Sequence, residues 1–386
     1  MTFLVYLNHY NIRQCKAQYL SVLYEILGKN LDAHFILTEE YLENYENKGR
    51  WEVNWAKDCW GDYESLLKKL TPDKYTLISP AEKLISKDIR VPSAILKEVV
   101  QKGSFDQQRI LGEIINKKDV TAGLTWVNNK CFSSILKEAG IPTIHHEMGP
   151  FRPETYIPTT YFDFSGVNGD TEFNERFKEF LNIVNEVPIL SKKELIKVLS
   201  PIHYKELITI LEDPSYIYEA GAGMQVEVDT NVLLFNNGYN WIDPVLMAEA
   251  ENEGKILVRP HPSAGYTLTP LDTRIVVDDL KKNKPYDFIK ACKKVYCLNS
   301  SIGIEALLLG REAVILGDSP FKAVCNMESD LQLKALNFIV FGYLVHRDLI
   351  FNSDYYSFRL KNRGNEKLIY LDNMERLLDK YFTERK

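Results

Sequence analysis

Short apolar runs alternate with longer stretches in which apolar side chains recur every third or fourth position, almost from end to end of the chain. A strand-sized run followed by a helical period is the signature of βαβ units, and hence of a parallel sheet. In the first half the pattern predicts strands at residues 3–7, 34–37, 75–78, 124–127 and 142–146. Helical periods lie between them at about 13–27, 94–100, 107–115 and 131–139. Together these make one doubly wound domain. Over residues 147–171 the pattern dissolves into Gly, Pro, Asp and aromatic residues, and an irregular stretch of that length is usually functional when ordered. Helical periods return at 172–184 and 192–211. A second α/β series begins near residue 216, with strands expected at 232–235, 256–259, 274–277, 295–298 and 313–316. Helices are expected at 244–251, 286–292 and 301–309, and an amphipathic one at 368–382. The resulting division is a Rossmann-like domain over 1–215, a second over 216–365, and a C-terminal helix in 366–386 packing back toward the first.

A length of 386 residues suits two domains of middling size, and 45% hydrophobic with 26% charged residues excludes disorder. The 12% aromatic share is rich; sugar-binding faces and core packing explain it equally well. A formal charge of −6 gives no support to nucleic-acid binding, which needs a basic footprint. Six cysteines lie far apart in or near apolar segments and read as buried thiols of a reducing compartment. Only Cys292 and Cys297 are close, and no zinc-spaced histidine pair accompanies them, so no metal site is expected. The apolar opening lacks the flanks of a signal peptide and reads as a strand. No stretch approaches the ~20 apolar residues that span a bilayer. The chain reads as cytoplasmic, with peripheral membrane contact open.

In open α/β sheets ligands bind beyond the carboxyl ends of strands, so candidate chemistry should follow predicted strands. The strongest signal is Asn299-Ser300-Ser301-Ile302-Gly303-Ile304-Glu305. Ser300 or Ser301 would cap the helix, whose first N–H groups favour a phosphate, and Gly303 would let that phosphate approach. Glu305, one turn in, is placed to accept from a ribose diol; a capping box is the plain alternative. Next comes Arg259-Pro260-His261-Pro262. Its prolines fix the backbone and orient His261 toward the sheet's end, where it can donate to a leaving phosphate beside Arg259. A rigid strand exit would look the same. The third is Gln225-Val226-Glu227-Val228-Asp229-Thr230-Asn231. A carboxylate there can serve as nucleophile, base or stabiliser of an oxocarbenium-like centre, and a solvated turn is the competing account.

The fourth, His145-His146-Glu147-Met148-Gly149-Pro150-Phe151-Arg152, joins an acid/base candidate (Glu147) to a cation (Arg152). Adjacent strand histidines point to opposite faces and cannot readily share a metal. Asp163 lies farther along the same loop, and Asn8 and His9 follow the first strand toward the presumed cleft.

Taken in order, these motifs resemble the bacterial retaining β-Kdo transferases of capsule and O-antigen type. Their acidic-Gly-aromatic-Arg segment is matched by residues 147–152, their Asp-containing loop by 163–167, and their Gln-x-x-x-Asp-Ser/Thr element by 225–230. The strand ending in His-Pro corresponds to 258–262, and the Ser-x-Gly-x-Glu-Ala-Leu helix start to 301–307. Pro150 interrupts the first segment, and Val228 stands where capsule enzymes often carry a second acid, which fits the O-antigen branch better.

The resemblance implies a GT-B fold with an N-terminal acceptor domain and a C-terminal donor domain, a CMP-β-Kdo donor, and no metal or other cofactor. It implies a glycan or lipid-linked glycan acceptor on the cytoplasmic face of the inner membrane, and leaves open both a free-standing enzyme and one module of a multi-enzyme polypeptide. Asp229 would be the nucleophile, Glu147 the acid/base and His261 the stabiliser of the leaving phosphate. Arg152, Gln225, Arg259, Pro262, Ser300, Ser301, Gly303 and Glu305 would bind donor; Asn8, His9 and Asp163 would face acceptor. On this reading, Asp229 and the helix start at Ser301 face each other across an interdomain gap. The alternatives are an inverting GT-B transferase using another CMP- or UDP-sugar, metal-dependent transfer through Glu227 and Asp229, and a non-catalytic nucleotide- or glycan-binding module.

Overall fold

The computed structural model describes residues 1–7, 17–42, 63–78, 105–227, 229–262 and 273–380. The predicted helix at 94–100 and the candidates Asn8 and His9 lie outside them. The chain forms two compact units: residues 1–147, 162–167 and 348–361, and residues 148–161, 168–347 and 362–386.

The first unit is built on β1 (Thr2–Tyr6), α1 (Ala17–Gly28), β2 (Ala33–Leu37), α2 (Tyr63–Leu67), β3 (Tyr75–Leu77), α3 (Phe105–Lys117), β4 (Val120–Trp126), α4 (Lys130–Glu138) and β5 (Thr143–His146). Its five strands are all parallel in the order β3-β2-β1-β4-β5. Leu4, Ile36, Leu111, Phe132 and Leu136 form its core. Gly123 in β4 has no side chain because Phe132 and Leu136 of α4 fill that space. Asn129 caps α4 by accepting from the Phe132 N–H at 2.9 Å. The order reverses between β1 and β4, and just past β4 Val127 holds φ 65°. That left-handed conformation is costly for a β-branched side chain.

The second unit runs through β6 (Thr159–Tyr161), α5 (Phe173–Ile183), α6 (Lys192–Leu199), α7 (Tyr204–Glu212), β7 (Tyr218–Gly223), α8 (Thr230–Leu234), α9 (Asp243–Glu251), β8 (Ile256–Arg259), β9 (Ile275–Val277), α10 (Pro285–Ala291), β10 (Cys292–Cys297), α11 (Ile302–Leu308), β11 (Glu312–Ile315), α12 (Ser329–Asn337) and β12 (Leu344–His346). A second all-parallel sheet has the order β11-β10-β7-β8-β9, the same topology repeated, with its reversal between β7 and β10. A separate antiparallel pair joins β6 to β12, with Tyr161 opposite Leu344.

Late in the chain, α13 (Ser353–Lys361) returns to the first unit, where the Tyr356 hydroxyl meets His146 Nε2 at 2.7 Å. The last helix, α14 (Glu366–Leu378), stays in the second. Its Glu366 accepts from Arg176 of α5 at 2.9 and 3.0 Å, while Arg176 also donates to the Gly342 carbonyl. That carbonyl belongs to a buried π-helical stretch, Phe338–Tyr343, packed against Phe173, Phe177 and Phe180. Much of the aromatic richness is therefore core packing.

Two Rossmann-like parallel-sheet units in one chain make this an α/β protein, as expected. Several expectations differ in detail. The expected domain boundary at 215/216 lies inside the second unit, because β6 pairs with β12 and residues 168–215 pack there as well. The helix that rejoins the first unit is α13, whereas the final one, expected to do so, belongs to the second. Residues 232–235, expected as a strand, lie in and just after helix α8, which Asp229 caps; the strand is β7, upstream. The predicted helix at 192–211 is two helices broken at Ser200-Pro201.

Candidate functional site

The reversal of strand order in the second unit opens the place where α/β sheets bind ligands. The loop after β7 and the loop after β10 meet there. Gln225 Nε2 donates to Asn299 Oδ1 at 2.8 Å, and the Asn299 N–H donates back to Gln225 Oε1 at 3.0 Å. Gln225, expected to touch donor, is buried and spends both ends of its amide on this pair.

Asp229 follows on the same loop, half-buried. It is the N-cap of α8, its Oδ1 accepting from the Asn231 N–H at 3.1 Å. The capping role explains why an acidic residue suits this position without any chemistry, and it also fixes where the carboxylate sits. Glu227 is exposed and Val228 lies outside the described residues. Among the described residues no group of three or more His, Cys, Asp or Glu is arranged to hold a metal ion.

After β10, the Ser300 hydroxyl accepts from the Ile302 N–H at a long 3.4 Å. Ser301 makes no side-chain cap; its hydroxyl donates to Glu305 Oε1 at 3.2 Å. The reciprocal capping box that would have explained this pair is therefore absent. Gly303 serves packing rather than ligand approach, because a Cβ there would meet Ile315 Cγ1 at 2.9 Å and Cys297 Sγ at 3.1 Å. Gly303→Ala is accordingly expected to destabilise the protein by about 1–3 kcal/mol through overpacking, read as a lowered midpoint of thermal unfolding.

Glu305 is a strongly perturbed acid of the site. Burial pushes its carboxyl up to about 7, against the opposing pull of Arg152, Ser301, Arg259 and Tyr156. The buried Tyr156 hydroxyl stands in electrostatic contact with this carboxylate but makes no hydrogen bond of ordinary geometry to it. Burial and the Glu305 charge together hold the phenol well above its usual value. Tyr156 carried no signal in the sequence. It arrives from the 148–161 excursion, together with the exposed Arg152, whose Nε donates to the Gly149 carbonyl at 3.2 Å.

Arg259, at the end of β8, is buried and paired with Asp278, and it also donates to the Asn283 carbonyl at 3.2 Å. It braces the strand exit more than it reaches for ligand. His261 follows half-buried and Pro262 exposed.

In the second unit, then, the structure gathers Gln225, Asp229, Arg259, the 299–305 segment and Arg152 about the ends of β7, β8 and β10. Asp229 and the helix start at 301, expected on opposite sides of an interdomain gap, belong to one unit and to the ends of adjacent strands. In the first unit, Glu147 is half-buried directly after β5. Asp163, expected to face acceptor, is fully buried instead: its Oδ1 accepts from the Ser165 and Gly166 N–H groups at 2.8 and 3.1 Å, bracing its own turn.

Two known families match parts of the chain. The Glycosyltransferase 99 family N-terminal domain matches residues 5–172, and the capsule polysaccharide biosynthesis protein family matches residues 224–328. Each match covers less than half of the chain, and together they support a glycosyltransferase. The first match takes in the N-terminal part, where the motifs carried no resemblance. No curated protein matches the chain. Among solved structures, the β-Kdo 2,7 transferase of Thermosulfurimonas dismutans KpsC is 15% identical, with a TM-score of 0.40 over 62% of this chain and 82% of that one. The β-Kdo 2,4 transferase of the same KpsC is 14% identical, with a TM-score of 0.37 over 60% and 88%. Phytolacca americana apo UGT2 is 10% identical, with a TM-score of 0.31 over 98% and 99%. Among the described residues no helix is long and apolar enough to cross a membrane.

Proposed function

We propose that this glycosyltransferase moves Kdo from CMP-β-Kdo to a glycan acceptor of a bacterial surface polysaccharide, with retention of configuration. The observation that carries the reading is the position of Asp229: a half-buried carboxylate at the head of α8, on the switch point of the second sheet. In the first displacement an Asp229 oxygen bonds to the anomeric carbon as the bond from that carbon to the CMP phosphate oxygen breaks. In the second, the acceptor hydroxyl loses its proton to Glu147 and attacks the same carbon, releasing Asp229.

The donor's phosphate and the Kdo carboxylate are both anionic; Arg152 and His261 would supply positive or proton-donating groups to them, while Arg259 braces the strand exit that carries His261. The reading needs no metal. Glu305, Ser300 and Ser301 complete the nucleotide side, and the acceptor belongs to the cytoplasmic face of the membrane.

Incubation with CMP-Kdo followed by intact mass measurement tests the mechanism. A covalent Kdo adduct is expected, absent in Asp229→Ala. A product with inverted anomeric configuration by NMR and no adduct would overturn retention and leave Asp229 as a base.

A further inference from the structure

We infer that Asn299 is a positioning residue, the centre of a polar clasp that holds the Asp229 helix in place across the switch point. The inference rests on the proposed role of Asp229. α8 spans only Thr230–Leu234, far too short to be stable alone, so tertiary ties must set where it sits. One tie is apolar: Val232 packs with Leu298 and Leu316. The polar tie is Asn299, the next residue after Leu298. Its Nδ2 donates to the Asn231 carbonyl at 3.0 Å and to the Phe235 carbonyl at 3.1 Å, near the start and just past the end of α8.

Its Oδ1 and backbone N–H are both engaged by Gln225, on the loop that leads into Asp229. Asn299 therefore grips the segment from both sides of the capping carboxylate. Asn231 is the hinge of the arrangement, its N–H held by Asp229 Oδ1 and its carbonyl by Asn299. With both side-chain N–H groups used inside the protein, Asn299 has no donor to offer a ligand. Its influence on transfer must run through the position of Asp229, where an error of about 1 Å can cost on the order of a hundredfold in rate.

The test pairs Asn299→Ala with Asp229→Asn in the full chain. In Asn299→Ala, turnover of CMP-Kdo should fall roughly tenfold to a hundredfold while CMP affinity, measured by calorimetry, stays within about threefold, because ground-state binding does not need α8 in register. Hydrogen exchange over residues 230–235 should quicken in Asn299→Ala and remain at the parental level in Asp229→Asn, where the cap persists. Gln225→Ala, which leaves both donations to α8 intact, should show a smaller fall in turnover. If Asn299→Ala does not fold, Asn299→Asp keeps the volume and the Gln225 contact, loses both donations, and is judged by the same measurements.

Parental turnover in the Asn299 variant, unchanged exchange over 230–235, or equal losses of turnover and CMP affinity would overturn the clasp. Parental turnover in Asp229→Asn would instead sink the assignment of Asp229, whatever Asn299 does.

Discussion

Asp229→Asn is expected to lower transfer at least a thousandfold while leaving the fold and CMP binding close to the parent. The structure makes this exchange unusually clean. Asp229 accepts from the Asn231 N–H as the N-cap of α8, and asparagine caps a helix about as well as aspartate. The substitution removes the charge and nucleophilicity of the carboxylate and little else. Loss of a group that forms the covalent intermediate costs on the order of 10⁴–10⁶ in turnover in enzymes of this logic, so a thousandfold fall is a conservative floor. Asp229→Ala should match it in turnover and additionally lose about 1 kcal/mol of stability with the cap. Steady-state rates with CMP-Kdo, set beside thermal unfolding of both variants, separate the two contributions. Equal turnover in parent and Asp229→Asn would reduce Asp229 to its capping role.

The capping role also shows how far the sequence could be read. The strand-end positions of Arg259, His261 and the 299–305 segment were legible, because a strand followed by a helix start leaves a local pattern in the chain. The strand β7 was not. It reads Tyr-Glu-Ala-Gly-Ala-Gly, with none of the β-branched residues that mark strands, because it lies at the centre of the sheet with α10 packed over it. A side chain at Gly221 would collide with Phe288 and Cys292. Missing β7 moved the expected strand onto α8. Nor could a local pattern show that residues 148–161 belong to the second unit, since that depends on β6 pairing with β12, 183 positions away in the register Tyr161 to Leu344. Tyr156 and Arg152 reach Glu305 through such long-range ties, among them the Ile157 N–H donating to the Leu199 carbonyl at 2.7 Å. Asn299 stood in plain view at the head of its motif, yet its four hydrogen bonds run to residues that precede it by 64 to 74 positions.

Glu305 should impose a trade between stability and nucleotide binding that changes sign with pH. Its carboxyl is pushed up to about 7 from 4.5, by burial first, against the charges of Arg152 and Arg259 and the hydroxyls of Ser301 and Tyr156. Between those two values the folded protein holds a proton that the unfolded chain has released, so this group's contribution to stability is full below about pH 4.5 and declines as pH rises toward 7. A shift of this size corresponds to roughly 3 kcal/mol lost across the window. Glu305→Gln removes the titration: the variant should gain unfolding temperature over the parent at pH 8 and lose that advantage at pH 4.5. Binding should run the other way. A ribose diol donates to the ionised carboxylate, so parental CMP affinity should rise as pH passes through 7, while the Gln variant binds weakly and without that slope. Calorimetry with CMP at pH 6 and pH 8 reads the second effect and thermal melts read the first. A parent whose CMP affinity ignores pH over this range would remove Glu305 from the nucleotide site, even if the melts behave as expected. Because the same buried carboxylate drives both slopes, both should level off above about pH 7 in the parent and vanish together in Glu305→Gln.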